Sequence, residues 1–113
     1  MARQGRVEIR QQSEGEELVV CIEGEIDLST IPVLTQHIDA QLGGEQRAAL
    51  TLDLTGVTFM DSSGLRLLIE LNERARREGW KLSLRSPKHE AATLVLRMTG
   101  ADDALPFTQG AGP

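Results

Sequence analysis

The spacing of apolar residues changes period several times along the chain, and each change restricts the kind of element that can form there. Residues Arg6 to Arg10 alternate, with Val7 and Ile9 on one face, and Glu17 to Glu23 carry a denser apolar run; the polar stretch Ser13-Glu14-Gly15 between them completes a hairpin pattern. From Ile31 the step becomes three and four residues, through Leu34, Ile38 and Leu42. Pro32 suits the first turn of that helix, where its missing N–H costs nothing, and Gly43-Gly44 is a stop. Leu50, Leu52 and Leu54 then alternate with Thr51 and Asp53, predicting a third strand that ends near Thr55-Gly56 and a short connection from Val57 to Asp61. Leu65, Leu68, Ile69 and Leu71 open a second helical pattern that runs to Gly79. Trp80, Leu82 and Leu84 predict a fourth strand, and Ala91, Leu94, Val95 and Met98 a one-faced third helix ended by Gly100. Leu105-Pro106-Phe107 fits a short edge strand, where proline is tolerated.

The resulting order, β-β-α-β-α-β-α, implies an α/β fold with a mixed, mostly parallel sheet of four to five strands and three or four helices. Strands joined through a helix have to cross over and so run parallel. Their carboxyl ends then share one edge, the usual location of sites in open α/β sheets. Two polar segments reach that edge: Gly24-Glu25-Ile26-Asp27 after the second strand and Asp61-Ser62-Ser63-Gly64 before the second helix. With 113 residues, 40% of them hydrophobic, the chain suits one core and one domain.

Charge and composition exclude several functions. A net charge of −5 repels a phosphate backbone, and with two Phe, one Trp and no Tyr there is no aromatic platform for stacking bases, so direct nucleic-acid binding is not expected. The basic stretch Arg74, Arg76, Arg77 reads as a solvated helix face, with Glu70 and Glu73 placed four residues before Arg74 and Arg77. The single cysteine, Cys21, cannot form an internal disulfide, and its apolar neighbours suggest a small buried thiol. No apolar leader or stretch of about 18 apolar residues occurs, so the expectation is a soluble, cytoplasmic chain without membrane insertion.

Asp61-Ser62-Ser63-Gly64 stands at a helix start, where unpaired backbone N–H groups and the positive end of the dipole favour an anion such as a phosphoserine. Asp and Ser are also the commonest N-caps, and read alone the motif is a cap. It is not a nucleophile elbow, because Met60-Asp61-Ser62-Ser63-Gly64 lacks the first glycine. His37 and His89 have no sequence relation to the serines, and no metal-ligand spacing or Walker A run is present. A receiver domain could use Asp53 or Asp61 as phosphate acceptor, but the acidic pair it needs after its first strand is missing. No catalytic residue, metal or cofactor is therefore expected.

The stretch Leu52-Asp53-Leu54-Thr55-Gly56-Val57-Thr58-Phe59-Met60-Asp61-Ser62-Ser63-Gly64-Leu65, with Gly24-Glu25-Ile26-Asp27 upstream, resembles the anti-sigma factor antagonists of the STAS-domain family. The resemblance covers residues 5–108 as one STAS domain and leaves 109–113 as a disordered tail. It implies a non-enzymatic regulator that binds an anti-sigma factor, itself a serine protein kinase, and releases the sigma factor. Ser62 then corresponds to the serine whose phosphorylation turns binding off, and a phosphoserine phosphatase is a further candidate partner. Asp27, Asp61, Ser62, Ser63 and Gly64 are the implied partner-binding residues, with Ser63 also a candidate helix cap. Arg66, one turn on, reads as part of the solvated face. The alternative within the same fold is a STAS subunit of a lipid transporter or of a stress-signalling scaffold.

Overall fold

A computed structural model describes residues 6–42 and 48–108. Strand β1 (Val7–Glu14) turns back into β2 (Glu17–Ile26), followed by α1 (Ile31–Leu42), β3 (Ala49–Met60), α2 (Ser62–Glu78), β4 (Lys81–Arg85), α3 (Glu90–Thr99), α4 (Ala101–Ala104) and β5 (Phe107–Thr108). The strands lie in one sheet in sequence order. β1 runs antiparallel to β2, and the other neighbours are parallel. The architecture is thus the mixed, mostly parallel α/β sheet that the periodicity predicts, with five strands and four helices. The Gly43-Gly44 stop and the expected disordered tail at 109–113 lie outside the described residues.

Alternation along the strands divides the sheet into two unlike faces. Leu18, Val20 and Ile22 of β2, Leu50, Leu52 and Leu54 of β3, and Leu82 and Leu84 of β4 enter one aliphatic core. They meet Leu34 and Ile38 of α1, Leu67, Leu68, Leu71 and Ala75 of α2, Ala92 and Leu96 of α3, and Ala101 of α4. The opposite face is polar: Thr51 donates to a Glu17 carboxylate oxygen at 2.9 Å, Arg85 to Asp53 at 3.1 Å, and Arg10 to Glu23 at 2.6 Å. Cys21 belongs to this second face and is only half-buried, its thiol 4.0 Å from Asp53 Oδ2. The expected core position for Cys21 is therefore corrected: a strand residue's face is set by its parity, and Cys21 is out of phase with Val20 and Ile22.

Four further expectations are corrected. β3 does not stop at Gly56 but runs to Met60, beside a β2 that includes Gly24, Glu25 and Ile26. Gly56 is a packing position, not a terminator: a Cβ there would lie 2.7 Å from Glu23 Cγ. On α3 part of the predicted inward stripe is turned outward: Leu94 is 46% and Met98 76% exposed, while Val95 packs against the core beside buried Ala92 and Leu96. α3 lies directly on β3, and a small residue such as Ala92 facing the sheet lets the backbones approach. On α2, Ile69, which the sequence pattern counts among the inward residues, is 44% exposed, and Leu67 is buried in its place. The arginine face is salt-bridged but with other partners. Arg74 reaches Asp39 of α1 at 2.8 Å and Glu78 at 3.3 Å, while Glu70 meets Arg66 at 3.7 Å and Glu73 meets Arg76 at 3.9 Å.

Candidate functional site

The paired ends of β2 and β3 build the site. Ile26 lies opposite Met60, so the residues that follow each of them emerge side by side at the carboxyl edge of the sheet. Two glycines make this possible. Gly24 has φ of +110°, and a Cβ there would run into the carbonyl oxygen of Arg6, which instead accepts the Glu25 N–H at 3.0 Å. Gly64 lets the first turn of α2 settle on β2: a Cβ would lie 2.7 Å from Met60 Cγ and 2.8 Å from Ile26 Cγ2.

Asp27 begins the loop after β2 and holds it in shape. Its Oδ1 accepts the Ser29 N–H at 3.0 Å, the Ser29 hydroxyl at 2.7 Å and the Thr30 N–H at 3.2 Å. The Thr30 hydroxyl, fully buried, donates to the Glu25 carbonyl at 3.0 Å and accepts the Asp27 N–H at 3.0 Å. The Ser29 hydroxyl bond, outweighing partial desolvation, holds the Asp27 carboxyl below the usual carboxylate range. Asp27 is therefore an ionised turn-former with one oxygen fully engaged. Between these locked residues Leu28 points to solvent, 74% exposed.

Asp61 is the N-cap of α2. Its backbone N–H donates to the Ile26 carbonyl at 3.2 Å, and its Oδ1 accepts the N–H groups of Ser63 at 2.8 Å and Gly64 at 3.3 Å. Capping is thus the work of Asp61, and the expectation of Ser63 as the cap is corrected: a side chain at the second helical position follows the donors it would need to meet. Ser62, the first helical residue, is exposed, and its hydroxyl has no hydrogen-bond partner among the described residues. Gly64 is buried behind it.

The predicted residues Asp27, Asp61, Ser62, Ser63 and Gly64 come together at one edge. The anion-binding character expected of the helix start is reduced, because Asp61 already occupies two of its free N–H groups and adds a negative charge of its own. Arg66, on the face of α2 one turn beyond Ser62, is 80% exposed in its side chain. Two apolar residues at the same edge escaped the sequence reading: Leu28, and Phe59, which is 40% exposed opposite Glu25 at the end of β3. A signal for Leu28 existed, since it is a large aliphatic residue inside the turn-forming string Asp27 to Thr30. Among the described residues no group of three or more His, Cys, Asp or Glu side chains could hold a metal ion, and no helix is long and apolar enough to cross a membrane.

Comparison with known proteins matches this geometry. Residues 9–107 fit the family model described as Mlab, STAS domain. An anti-sigma factor antagonist from Mycobacterium paratuberculosis has a similar structure, with a TM-score of 0.75 and 29% identity, covering 94% of this chain and 87% of that one. The anti-sigma factor antagonist SpoIIAA in its unphosphorylated form shares the fold, with a TM-score of 0.73 and 17% identity over 89% of this chain and 86% of that one. With the family model spanning nearly the whole chain and the sheet order, helix placement and Asp-Ser-Ser-Gly edge described above, this protein belongs to the STAS-domain family.

Proposed function

We propose that this chain is an anti-sigma factor antagonist whose switch is Ser62. In the unmodified form it binds an anti-sigma factor that is also a serine protein kinase, and the bound anti-sigma factor releases its sigma factor. Transfer of the γ-phosphoryl group of ATP to Ser62 Oγ, with loss of the hydroxyl proton and departure of ADP, ends that binding. A phosphoserine phosphatase resets the chain by hydrolysis. The observation that carries the reading is an exposed serine hydroxyl at the first position of α2, unpartnered among the described residues, on an edge with two carboxylates and two exposed apolar side chains. The similarity to anti-sigma factor antagonists supports the choice of partner.

The switch follows from charge. A phosphoserine adds about −1.5 to −2 charges. Asp61 stands next to it and already fills the Ser63 and Gly64 N–H groups, so the new dianion finds little compensation from the helix start. In a docked complex it would be desolvated against groups arranged for a neutral hydroxyl. A hundredfold loss of affinity requires only about 2.8 kcal/mol, within reach of one misplaced charge. Asp27 and Asp61 hold the edge in shape, Ser63 stands beside the switch serine, and Gly64 seats the helix start on Ile26 and Met60.

The test is to incubate the chain with its anti-sigma factor and labelled ATP, and to measure binding of the variants. Label on Ser62, its loss in Ser62→Ala, and affinity retained by Ser62→Ala but lost by Ser62→Glu are expected. Equal affinity of the two variants, label on Ser63, or stable association with a lipid-transporter complex instead would refute the assignment.

A further inference from the structure

Leu28 has an unusual combination of properties. It is a large aliphatic side chain, 74% exposed, on a loop whose backbone is fixed by three hydrogen bonds to Asp27 Oδ1 and by the buried Thr30 hydroxyl. An exposed leucine on a loose loop needs no explanation. One presented by a locked turn is prepared for docking, because little conformational freedom remains to be lost on binding. Leu28 lies two residues beyond Ile26 and Ser62 two residues beyond Met60, and Ile26 and Met60 are register partners. Phe59, 40% exposed, is the last residue but one of the neighbouring strand. The apolar pair and the switch serine therefore share one edge.

We propose that Leu28, flanked by Phe59, is the apolar anchor of this edge and inserts into an apolar pocket with a basic rim on the anti-sigma factor. The basic rim follows from Asp27 and Asp61, the acidic residues that bracket the anchor and the serine, on a chain of net charge −5; its charges are matched by these two carboxylates, so a dianion added at Ser62 is left unbalanced. This assignment rests on the function proposed above. It divides the work: the leucine supplies affinity through apolar burial, and the serine alone carries the on/off information. The anchor is a property of the partner contact only, since Leu28 is not part of the core.

The experiment measures binding of the purified anti-sigma factor by calorimetry to the wild type and to Leu28→Asn and Leu28→Met. Leu28→Asn is expected to bind at least tenfold more weakly, with an unchanged melting temperature, while Leu28→Met, which keeps the apolar side chain, stays within about threefold of wild type. Failure of the wild type to bind overturns the proposed function itself. Wild-type binding with Leu28→Asn equally tight overturns only the anchor. A wild-type dimer in light scattering that Leu28→Asn converts to monomer also overturns it, by making the occupant a second copy of the chain.

Discussion

Replacing Gly64 with alanine tests whether the close seating of α2 on the end of β2 is what positions the serine. The added methyl would lie 2.7 Å from Met60 Cγ and 2.8 Å from Ile26 Cγ2, with the Ile26 carbonyl oxygen at 3.3 Å. Carbon atoms pack at about 3.5–4.0 Å, so the helix start must retreat by roughly 1 Å or both side chains must leave their rotamers. Neither has room to do so, as Ile26 is fully buried and Met60 2% exposed. Overpacking of this kind costs about 1–3 kcal/mol. The gain in helix propensity from glycine to alanine is at most about 1 kcal/mol, and less in a first turn. The expected net loss is about 1–2 kcal/mol, a fall in Tm of roughly 5–15 °C at about 4–8 °C per kcal/mol for a domain of this size. Thermal and urea unfolding followed by circular dichroism measure it. A Gly64→Ala chain as stable as the wild type, or more stable, would refute the reasoning, because propensity would then have prevailed over the contact.

Two further outcomes follow from the side-chain bonds. Asp61→Ala removes the cap on the Ser63 and Gly64 N–H groups and should lower stability by about 1 kcal/mol, whereas Asp61→Asn, an equally good cap, should stay within a few tenths in the same unfolding assays. Asp53 is partly desolvated, which raises its pKa, but the Thr55 and Arg85 hydrogen bonds together hold it below the usual carboxylate range. A depressed native pKa stabilises the fold above the unfolded value, about pH 4, and that contribution fades as pH falls through the native value. Asp53→Asn should therefore be less stable than wild type at neutral pH, with the gap in Tm narrowing below about pH 4; a gap independent of pH would show that the carboxylate charge is not involved.

The architecture was legible because the period of the apolar residues carries the element type, and Leu50, Leu52 and Leu54 define their strand almost unaided. The phase of a helix was not. α3 offers two apolar stripes that overlap at Val95, Ala91-Leu94-Val95-Met98 and Ala92-Val95-Leu96, and choosing between them depends on how near the helix can come to β3, which is a tertiary quantity. Cys21 was misplaced for a similar reason, since an apolar run hides the alternation that assigns each residue to a face. Strand ends were also hidden, because Gly56 reads as a stop until Glu23 is seen lying over it. Ser62 and its neighbours were legible as a motif. The cap role of Asp61 over Ser63, and the presentation of Leu28 by its turn, required hydrogen-bond directions that no spacing rule contains.

The attachment of Asp61 limits where a signal at Ser62 can travel. The residue just before the serine is tied by its main chain to the last residue of one strand and by its side chain to the opening turn of the helix, and that helix rests on buried Ile26 and Met60. Strain introduced at the hydroxyl has no soft element beneath it to deform. On the proposed function, a phosphate there is read from outside, by the surface that docks against it, while the fold beneath stays as it is.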